Sequence, residues 1–368
     1  MKLLFWLCFA LVGYTYLGYA VWLSLCRRFR QRPILKRQIT PTVSIVMAAR
    51  NEEANLPRKL ENIRSLDYPQ DRLQIVIASD GSTDRTPEIL RDAPGVHPIV
   101  LERSSGKASA LNEAVRSATG EILVFLDARQ MIDKDAVGEL AACFADPEVG
   151  AVSGELLLET AFGAPSPDGL SLYWKIEKMV RRLESESGSV IGVTGAIYAV
   201  RRELYTNMPA ETLLDDVFVP MNVVKAGKRV VFQPTAIARD RIFKQKGKEF
   251  SRKVRTLTGN YQLVRLAPWL LSSENPLLFR FISHKLLRLL VPLLLLGMLA
   301  ASAAIGGRFY GVAFWTQVLF YGLAVMGMLI PSARKLKPIA VASTFVMLNA
   351  AAALALYSFL AGRKRVWV

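Results

Sequence analysis

The chain has 368 residues, of which 52% are hydrophobic, and a net charge of +16. Its three cysteines exclude a disulfide framework, and its two histidines are too few and too far apart for a zinc site. The basic residues do not alternate with aromatic residues as in a nucleic-acid module, so we expect no nucleic-acid partner. We interpret the excess positive charge as membrane-facing and anion-binding.

The N-terminal segment has the character of a membrane span. Residues 3–26 are apolar and aromatic without a charge, and about 20 such residues cross a bilayer as a helix. A cleaved signal peptide would have a shorter apolar region with its charges before it. Basic residues follow the segment instead, so the positive-inside rule places the N-terminus outside and the following residues in the cytoplasm. We assign residues 1–28 to a transmembrane helix.

The middle of the chain alternates between apolar runs and amphipathic segments. Strands are predicted at residues 43–48, 75–79, 98–101 and 122–126, with helices between them, which is typical of a doubly wound parallel sheet. Further strands are predicted at 149–153, 197–201 and 229–232. No G-x-G-x-x-G follows the first strand, which counts against a dinucleotide cofactor. Gly106-Lys107 is not part of a P-loop, because Leu101 occupies the position of the required glycine.

Two of the predicted strands end on aspartates, Asp80 and Asp127. In open α/β sheets, ligands bind beyond the carboxyl ends of the strands. The alternative is that each aspartate only caps the helix after it, which explains one such residue better than two. The pair therefore indicates a site for a polar, phosphorylated ligand.

The C-terminal third is basic and then apolar. Residues 239–255 are rich in arginine and lysine, and two interpretations stay open: a solvated segment beside the membrane, or a loop that closes over a diphosphate. Three apolar segments follow at 286–305, 312–330 and 338–360, and we expect each to span the bilayer. This arrangement puts the basic tail at 363–365 outside, which the positive-inside rule disfavours. We divide the chain into a cytoplasmic domain at 38–238, a basic interfacial and gating segment at 239–285 and membrane helices at 286–361.

A set of motifs resembles the membrane-embedded family-2 glycosyltransferases, the group that includes cellulose, chitin, hyaluronan and poly-N-acetylglucosamine synthases. The motifs occur in the order ARNEE (49–53), SDGSTD (79–84), SGKASALNEA (105–114), LDAR (126–129), GAIYAVRREL (195–204) and LLDD (213–216). The resemblance implies an α/β fold of the GT-A, Rossmann-like type with a mostly parallel sheet. It also implies a nucleotide-sugar donor, a Mg²⁺ or Mn²⁺ ion, and inversion at the anomeric carbon.

The resemblance also implies roles for individual residues. The donor would be bound near the nucleotide and diphosphate by Arg50, Glu52, Asp80 (on the base), Lys107, Asp127 and Arg129. Asp216 would be the general base, with Asp215 as the next candidate. These roles suit the chemistry, because a leaving diphosphate needs cations and an attacking hydroxyl needs a carboxylate to take its proton.

The chain departs from the family pattern at two places. Where many relatives have Asp-x-Asp, this chain has Asp127-Ala128-Arg129, so either Asp127 holds the metal with phosphates and water, or Arg129 takes part of its charge role. Where processive synthases have Gln-x-x-Arg-Trp, the chain keeps an arginine, Arg255, and loses the tryptophan. We expect Arg252 and Arg255 to contact the diphosphate.

The resemblance predicts a membrane-bound inverting glycosyltransferase in a bacterial-type inner or plasma membrane. It would move a sugar from a UDP-sugar to a growing cell-surface or exopolysaccharide glycan, with its catalytic domain in the cytoplasm and with room for an accessory export subunit. Two alternatives stay open: transfer of one sugar to a lipid acceptor, and a catalytically inactive membrane scaffold.

Overall fold

The computed structural model describes residues 1–159, 169–241 and 248–362. The basic tail at 363–365, and Lys244 and Lys246 of the basic segment, lie outside these ranges.

The globular part of the chain is built on one mixed sheet of eight strands. The strands are β1 (Val43–Ala49), β2 (Leu73–Asp80), β3 (Val96–Leu101), β4 (Ile122–Leu126), β5 (Met131–Ile132), β6 (Val149–Glu159), β7 (Ile197–Arg201) and β8 (Arg229–Arg241). Their order across the sheet is β3-β2-β1-β4-β7-β6-β8-β5. The first four strands are parallel, β7 is antiparallel to β4 and β6, β6 and β8 are parallel, and β5 is antiparallel to β8.

Apolar runs explain the central strands. Every residue of β1 and of β4 is buried, as expected for strands covered by helices on both faces. Successive side chains point to opposite faces, so Ile45 joins one hydrophobic core and Val46 the other.

The last long strand is longer than predicted and reaches into the basic segment. Within β8, the guanidinium of Arg239 is held by Asp133, with Nε 2.7 Å from Oδ1. The beginning of the basic segment is therefore part of the sheet.

The helices between the strands cover both faces. They are α2 (Leu56–Arg64), α3 (Thr86–Arg91), α4 (Lys107–Arg116), α5 (Ala136–Ala142), α6 (Gly169–Glu186) and α7 (Asp215–Lys225), after an N-terminal helix α1 (Lys2–Phe29). The chain continues with α8 (Lys248–Leu266), α9 (Leu278–Ile305), α10 (Arg308–Leu329) and α11 (Lys337–Leu360).

Four of these helices, α1, α9, α10 and α11, are long and apolar enough to cross a membrane. One is N-terminal and three are C-terminal, as predicted, although α9 begins earlier than the predicted residue 286. Two of them contain a single π-helical turn, Tyr14–Gly18 in α1 and Ile282–Leu286 in α9.

Helix α8 joins the globular part to the three C-terminal apolar helices. Val254 of α8 is buried against Ala351 and Ala355 of α11. The same helix reaches back to the loop before α7, so one element contacts both a candidate membrane span and the candidate site.

Candidate active site

The loops after β1 and β2 are locked to each other. Asn51 has a left-handed backbone with φ 53°, a rare conformation for a residue other than glycine, and its Oδ1 accepts a hydrogen bond from Thr83 N at 2.8 Å. Glu52 N donates to Thr86 Oγ1 at 2.9 Å. These bonds fix the segment that carries Arg50 and Glu52 at the carboxyl ends of parallel strands, where the prediction places the nucleotide.

Asp80 is buried and holds a neighbouring loop. Its carboxylate accepts hydrogen bonds from Ser105 N at 2.7 Å, Gly106 N at 3.0 Å and the Ser104 hydroxyl at 2.8 Å. Gly81, with φ 58°, allows the close approach, because a Cβ there would lie 2.3 Å from Ser104 N. Asp80 thus organises the loop that leads to Lys107, and its contact with the base stays a prediction.

Lys107 brings together two carboxylates that are far apart in the sequence. It is the first residue of α4, and its Nζ lies 3.0 Å from Asp127 Oδ1 and 3.2 Å from Asp215 Oδ2. Burial alone would lower the pKa of Lys107, but the two carboxylates raise it above its ordinary value. The lysine therefore stays charged and connects the predicted donor side to the acidic pair.

The acidic pair opens helix α7, and its two members have different surroundings. Asp215 binds Lys107, whereas Asp216 Oδ1 is buried without a hydrogen-bond partner among the described residues. Burial, and then repulsion from Asp215, raise the pKa of Asp216 to about 6, against the opposing effect of Lys285, Lys107 and Arg181. A carboxylate in this state is suited to take a proton near neutral pH.

Two residues of α8 that the sequence analysis missed hold the loop before the acidic pair. Gln262 Oε1 accepts a hydrogen bond from Leu213 N at 3.0 Å, and its Nε2 donates to Glu211 O at 2.6 Å. At Gly259 a Cβ would lie 2.6 Å from Leu214 Cγ, so the helix approaches the loop closely. The sequence does contain a pattern that could have indicated this contact: a glycine and a glutamine three positions apart lie on one face of a helix.

The predicted diphosphate contacts lie on that same face of α8. Positions 252, 255, 259 and 262 recur at helical spacing, so Arg252 and Arg255 continue the line of Gly259 and Gln262 toward the N-terminus of the helix. Arg255 is half-buried and Arg252 is exposed. Their contact with a diphosphate stays a prediction, and their position on this face supports it.

Arg129 is directed to a carboxylate of the sheet. Its Nη2 binds Asp240 Oδ2, and Gln130 Nε2 donates to the same oxygen at 3.1 Å. The alternative in which Arg129 takes part of the metal's charge role is weakened, because its charge is already paired. Behind this loop the buried Lys59 donates to Gln130 O at 2.6 Å, and burial lowers its pKa to about 7. Lys59 is not among the site residues predicted from the sequence.

The metal-binding potential of the site depends on Asp127. Among the described residues, no group of three or more His, Cys, Asp or Glu side chains is arranged to hold a metal ion. The Asp127 side chain is 36% exposed, and Lys107 binds only its Oδ1. This fits a cation that takes one protein carboxylate and completes its shell with phosphate oxygens and water.

Comparisons with known sequences agree with the motif analysis. Residues 44–207 match the family model described as Glycosyl transferase family 2. The chain is 25% identical to a poly-beta-1,6-N-acetyl-D-glucosamine synthase of Staphylococcus epidermidis over 62% of this chain and 56% of the relative, so it spans about half the length of that protein. It is 39% identical to a beta-monoglucosyldiacylglycerol synthase of Synechocystis over 30% of this chain and 25% of the relative.

A solved structure is similar over nearly the whole chain. The mannosyltransferase PcManGT from Pyrobaculum calidifontis, in complex with GDP-Man and Mn²⁺, superposes with a TM-score of 0.74 at 23% identity. The match covers 98% of this chain and 99% of that one. The predicted fold, a GT-A domain with four apolar helices, is thereby confirmed.

Proposed function

We propose, for a chain that carries a glycosyl transferase family 2 domain, that it is a membrane-bound inverting glycosyltransferase with its catalytic domain at the cytoplasmic face. The donor would be a UDP-sugar and the acceptor a growing cell-surface or exopolysaccharide glycan. The observation that carries the proposal is the position of Lys107, whose Nζ joins Asp127 at the end of β4 to Asp215 beside Asp216. Lys107 thus brings Asp127, on the proposed donor side, close to the acidic pair on the proposed acceptor side.

The donor side holds the diphosphate with positive charge. Lys107 and Arg255 would bind its oxygens, and the planar guanidinium can bind two oxygens at once. Asp127, with the donor's own phosphates, would hold a Mg²⁺ or Mn²⁺ ion, which when bound supplies further charge for the leaving group. Arg50 and Glu52 would line the nucleotide.

Asp216 is the residue that would remove the acceptor's proton. The acceptor hydroxyl oxygen forms a bond to the anomeric carbon from the face opposite the diphosphate, while the bond from that carbon to the diphosphate oxygen breaks. The proton passes to Asp216, and the nucleoside diphosphate leaves with the bond's electron pair. The raised pKa of Asp216 supports catalysis over an inert scaffold, since a purely structural carboxylate gains nothing from an unpaired buried oxygen.

A second candidate function, transfer of one sugar to a lipid acceptor, is favoured by one residue. Thr256 follows Arg255 where the processive synthases have tryptophan, which belongs to their acceptor platform. The two functions share the donor side and the base, and they differ in the size of the product.

Membrane fractions that contain the full chain, incubated with radiolabelled UDP-sugars and, in parallel, GDP-sugars, test the proposal. We expect label in a membrane-bound product, and its size on gel filtration separates a polymer from a single added sugar. Absence of transfer from every UDP-sugar and every GDP-sugar, with the chain present in the membrane, would contradict the proposed function.

A further inference from the structure

Helix α9 places a lysine beside the acidic pair at the point where the chain enters the membrane. Lys285 lies in the π-helical turn Ile282–Leu286 of α9, and π turns within helices are frequent at functional sites. A Cβ built on Gly192 would lie 3.7 Å from Lys285 Nζ and 3.3 Å from the backbone oxygen of Asp216. The ammonium group and the start of α7 therefore border the same small space above Gly192.

The orientation of Lys285 differs from that of an ordinary lysine at the end of a membrane span. Such a lysine extends its ammonium toward water and lipid headgroups. Lys285 is half-buried, its ammonium faces the sheet domain, and it makes no hydrogen bond or ion pair with the described residues. Burying an ammonium without a partner is costly, so the position is suited to an anion.

The carboxylates around Lys285 are largely bound by other groups. The charged groups that act on it are Glu177, Asp216, Arg288 and Glu184. Glu177 binds His284 Nε2 at 3.0 Å and Arg288 Nη1 at 2.7 Å. Glu184 binds His284 Nδ1 at 2.9 Å. Of the carboxylates that act on Lys285, Asp216 alone has no ion pair among the described residues.

A second cation, on helix α6, acts electrostatically on Asp216. Arg181 is half-buried, it lies over the Phe232 ring at 5.7 Å, and it has no ion pair with the described residues. Like Lys285, it acts on Asp216. Both cations come from elements outside the sheet, one on a membrane span and one on an amphipathic helix beside α1, so the charge lies toward the membrane.

We propose that Lys285 forms a phosphate subsite for the acceptor, and that this acceptor is a glycan or hydroxyl-bearing group carried on a lipid phosphate. The proposal rests on the proposed function, because it takes Asp216 as the base. The acceptor hydroxyl would lie at Asp216, its phosphate at Lys285, and its apolar chain along α9 in the bilayer. A lipid carrier is consistent with either product size, since a polymer and a single sugar can both be built on a lipid phosphate.

Binding to the full chain in phosphatidylcholine nanodiscs tests the subsite without requiring turnover. The probes are dodecyl phosphate, dodecanol and inorganic phosphate, with UDP as the donor-side probe, all measured by calorimetry. The variants are Lys285→Met, Lys285→Arg and, as a matched control, Lys337→Met, which removes an exposed lysine from the start of α11. Gly192→Ala provides a test that changes no charge, because the added methyl group enters the shared space.

We expect the wild type to bind dodecyl phosphate at least ~10-fold more tightly than dodecanol, as a charge-assisted contact provides. Lys285→Met should remove that preference, Gly192→Ala should weaken it, and Lys285→Arg and Lys337→Met should keep it, all with UDP affinity unchanged. Retention of the preference in both Lys285→Met and Gly192→Ala would overturn the proposal. If Lys285→Met loses UDP binding as well as dodecyl phosphate binding, Lys285 belongs to the donor site and the proposal is wrong. If the wild type binds inorganic phosphate as tightly as dodecyl phosphate, the site binds free anions and not a lipid phosphate. Each of these results is independent of whether sugar transfer is observed.

Discussion

Asp215 and Asp216 are neighbours in the sequence, but their environments give them different properties. Asp215 is paired with a lysine that also holds Asp127, so its charge is stabilised. Asp216 has a buried oxygen without a partner among the described residues and a raised pKa. A buried carboxylate whose pKa is raised toward neutral pH is suited to act as a general base. We therefore propose the proton transfer for Asp216 and a positioning role for Asp215.

The pKa of Asp216 predicts how the rate depends on pH. A base works when it is deprotonated, so turnover should fall as the pH drops below about 6, the pKa to which burial and Asp215 raise this group. Asp215→Asn removes one source of the raised pKa, and the fall should then begin at a lower pH. Initial rates from about pH 5 to 8 in both proteins measure this. An acidic limb that does not move would show that another group titrates.

The remaining oxygen of Asp127 predicts how donor binding depends on metal. If Asp127 is the protein ligand of the cation, UDP should bind more weakly in EDTA, and Asp127→Ala should abolish the difference. Calorimetry of UDP with and without added Mg²⁺ or Mn²⁺ measures this in both proteins. Equal affinity in the wild type under both conditions would indicate a metal-free site, in which Lys107 rather than the paired Arg129 supplies the charge.

Helix α8 is the element that connects the candidate membrane helices to the proposed catalytic groups. One face is buried on α11 through Val254, and another holds the loop before α7 through Gly259 and Gln262. An element bound on two sides can transmit a shift in the membrane helices to the position of Asp216. Its sequence alone looks like a solvated basic segment, which is one of the two interpretations that the sequence left open.

Arg255 tests whether the basic face of α8 belongs to the site. Arg255→Lys keeps the charge but loses the planar group that binds two phosphate oxygens, so turnover should fall by ~10-fold or more. Arg265→Lys is the matched control, because Arg265 is exposed on the same helix and lies over the Phe359 ring instead. Both variants are assayed at matched membrane expression. Full activity in Arg255→Lys would leave the segment as a membrane anchor only.

Gly259 tests whether the close approach of α8 to the acidic pair matters. Gly259→Ala introduces a Cβ that would lie 2.6 Å from Leu214 Cγ, so the helix or the loop must move. We expect a reduction of kcat by ~10-fold or more with little change in UDP affinity, since small displacements of catalytic groups are costly. Ala226→Ser, at the C-terminal end of α7, is a control of similar size, and a normal kcat in Gly259→Ala would contradict the positioning role.

Across the whole molecule, the sequence predicts the bounds of the strands with continuous apolar runs better than those of the interrupted or very short strands. The bounds of β4 and β7 agree with the prediction, because continuous apolar runs end sharply on polar residues. The length of β8 was missed, because Gln233 and Pro234 interrupt its apolar pattern. Its pairing with β6 shifts register at this point, from Ser153 with Phe232 to Glu155 with Ile237, so the extra residues lie in β8. The two residues of β5 are too few to show any alternation.

In the candidate site, too, the sequence identifies residues more readily than the contacts between them. Motifs identified Lys107, Asp127 and the acidic pair, but their contact depends on the sheet order, which no local pattern contains. Lys59 looks like a surface residue of an amphipathic helix, and its burial follows only from the packing of α2 on the loop after β4. Lys285 looks like a positive-inside charge, and only the fold directs it toward Asp216.

The central claim is that Asp216 is the catalytic base of a nucleotide-sugar transferase, and one paired measurement on Asp216→Asn tests it. Turnover of radiolabelled UDP-sugar and calorimetric binding of UDP are measured on the same membrane-reconstituted protein, with wild type alongside. Our account predicts a loss of ~10²-fold or more in turnover with nearly unchanged UDP affinity, because the amide cannot take the proton but leaves the donor side intact. Wild-type turnover in Asp216→Asn would contradict it, and would make Asp215 the next candidate for the base.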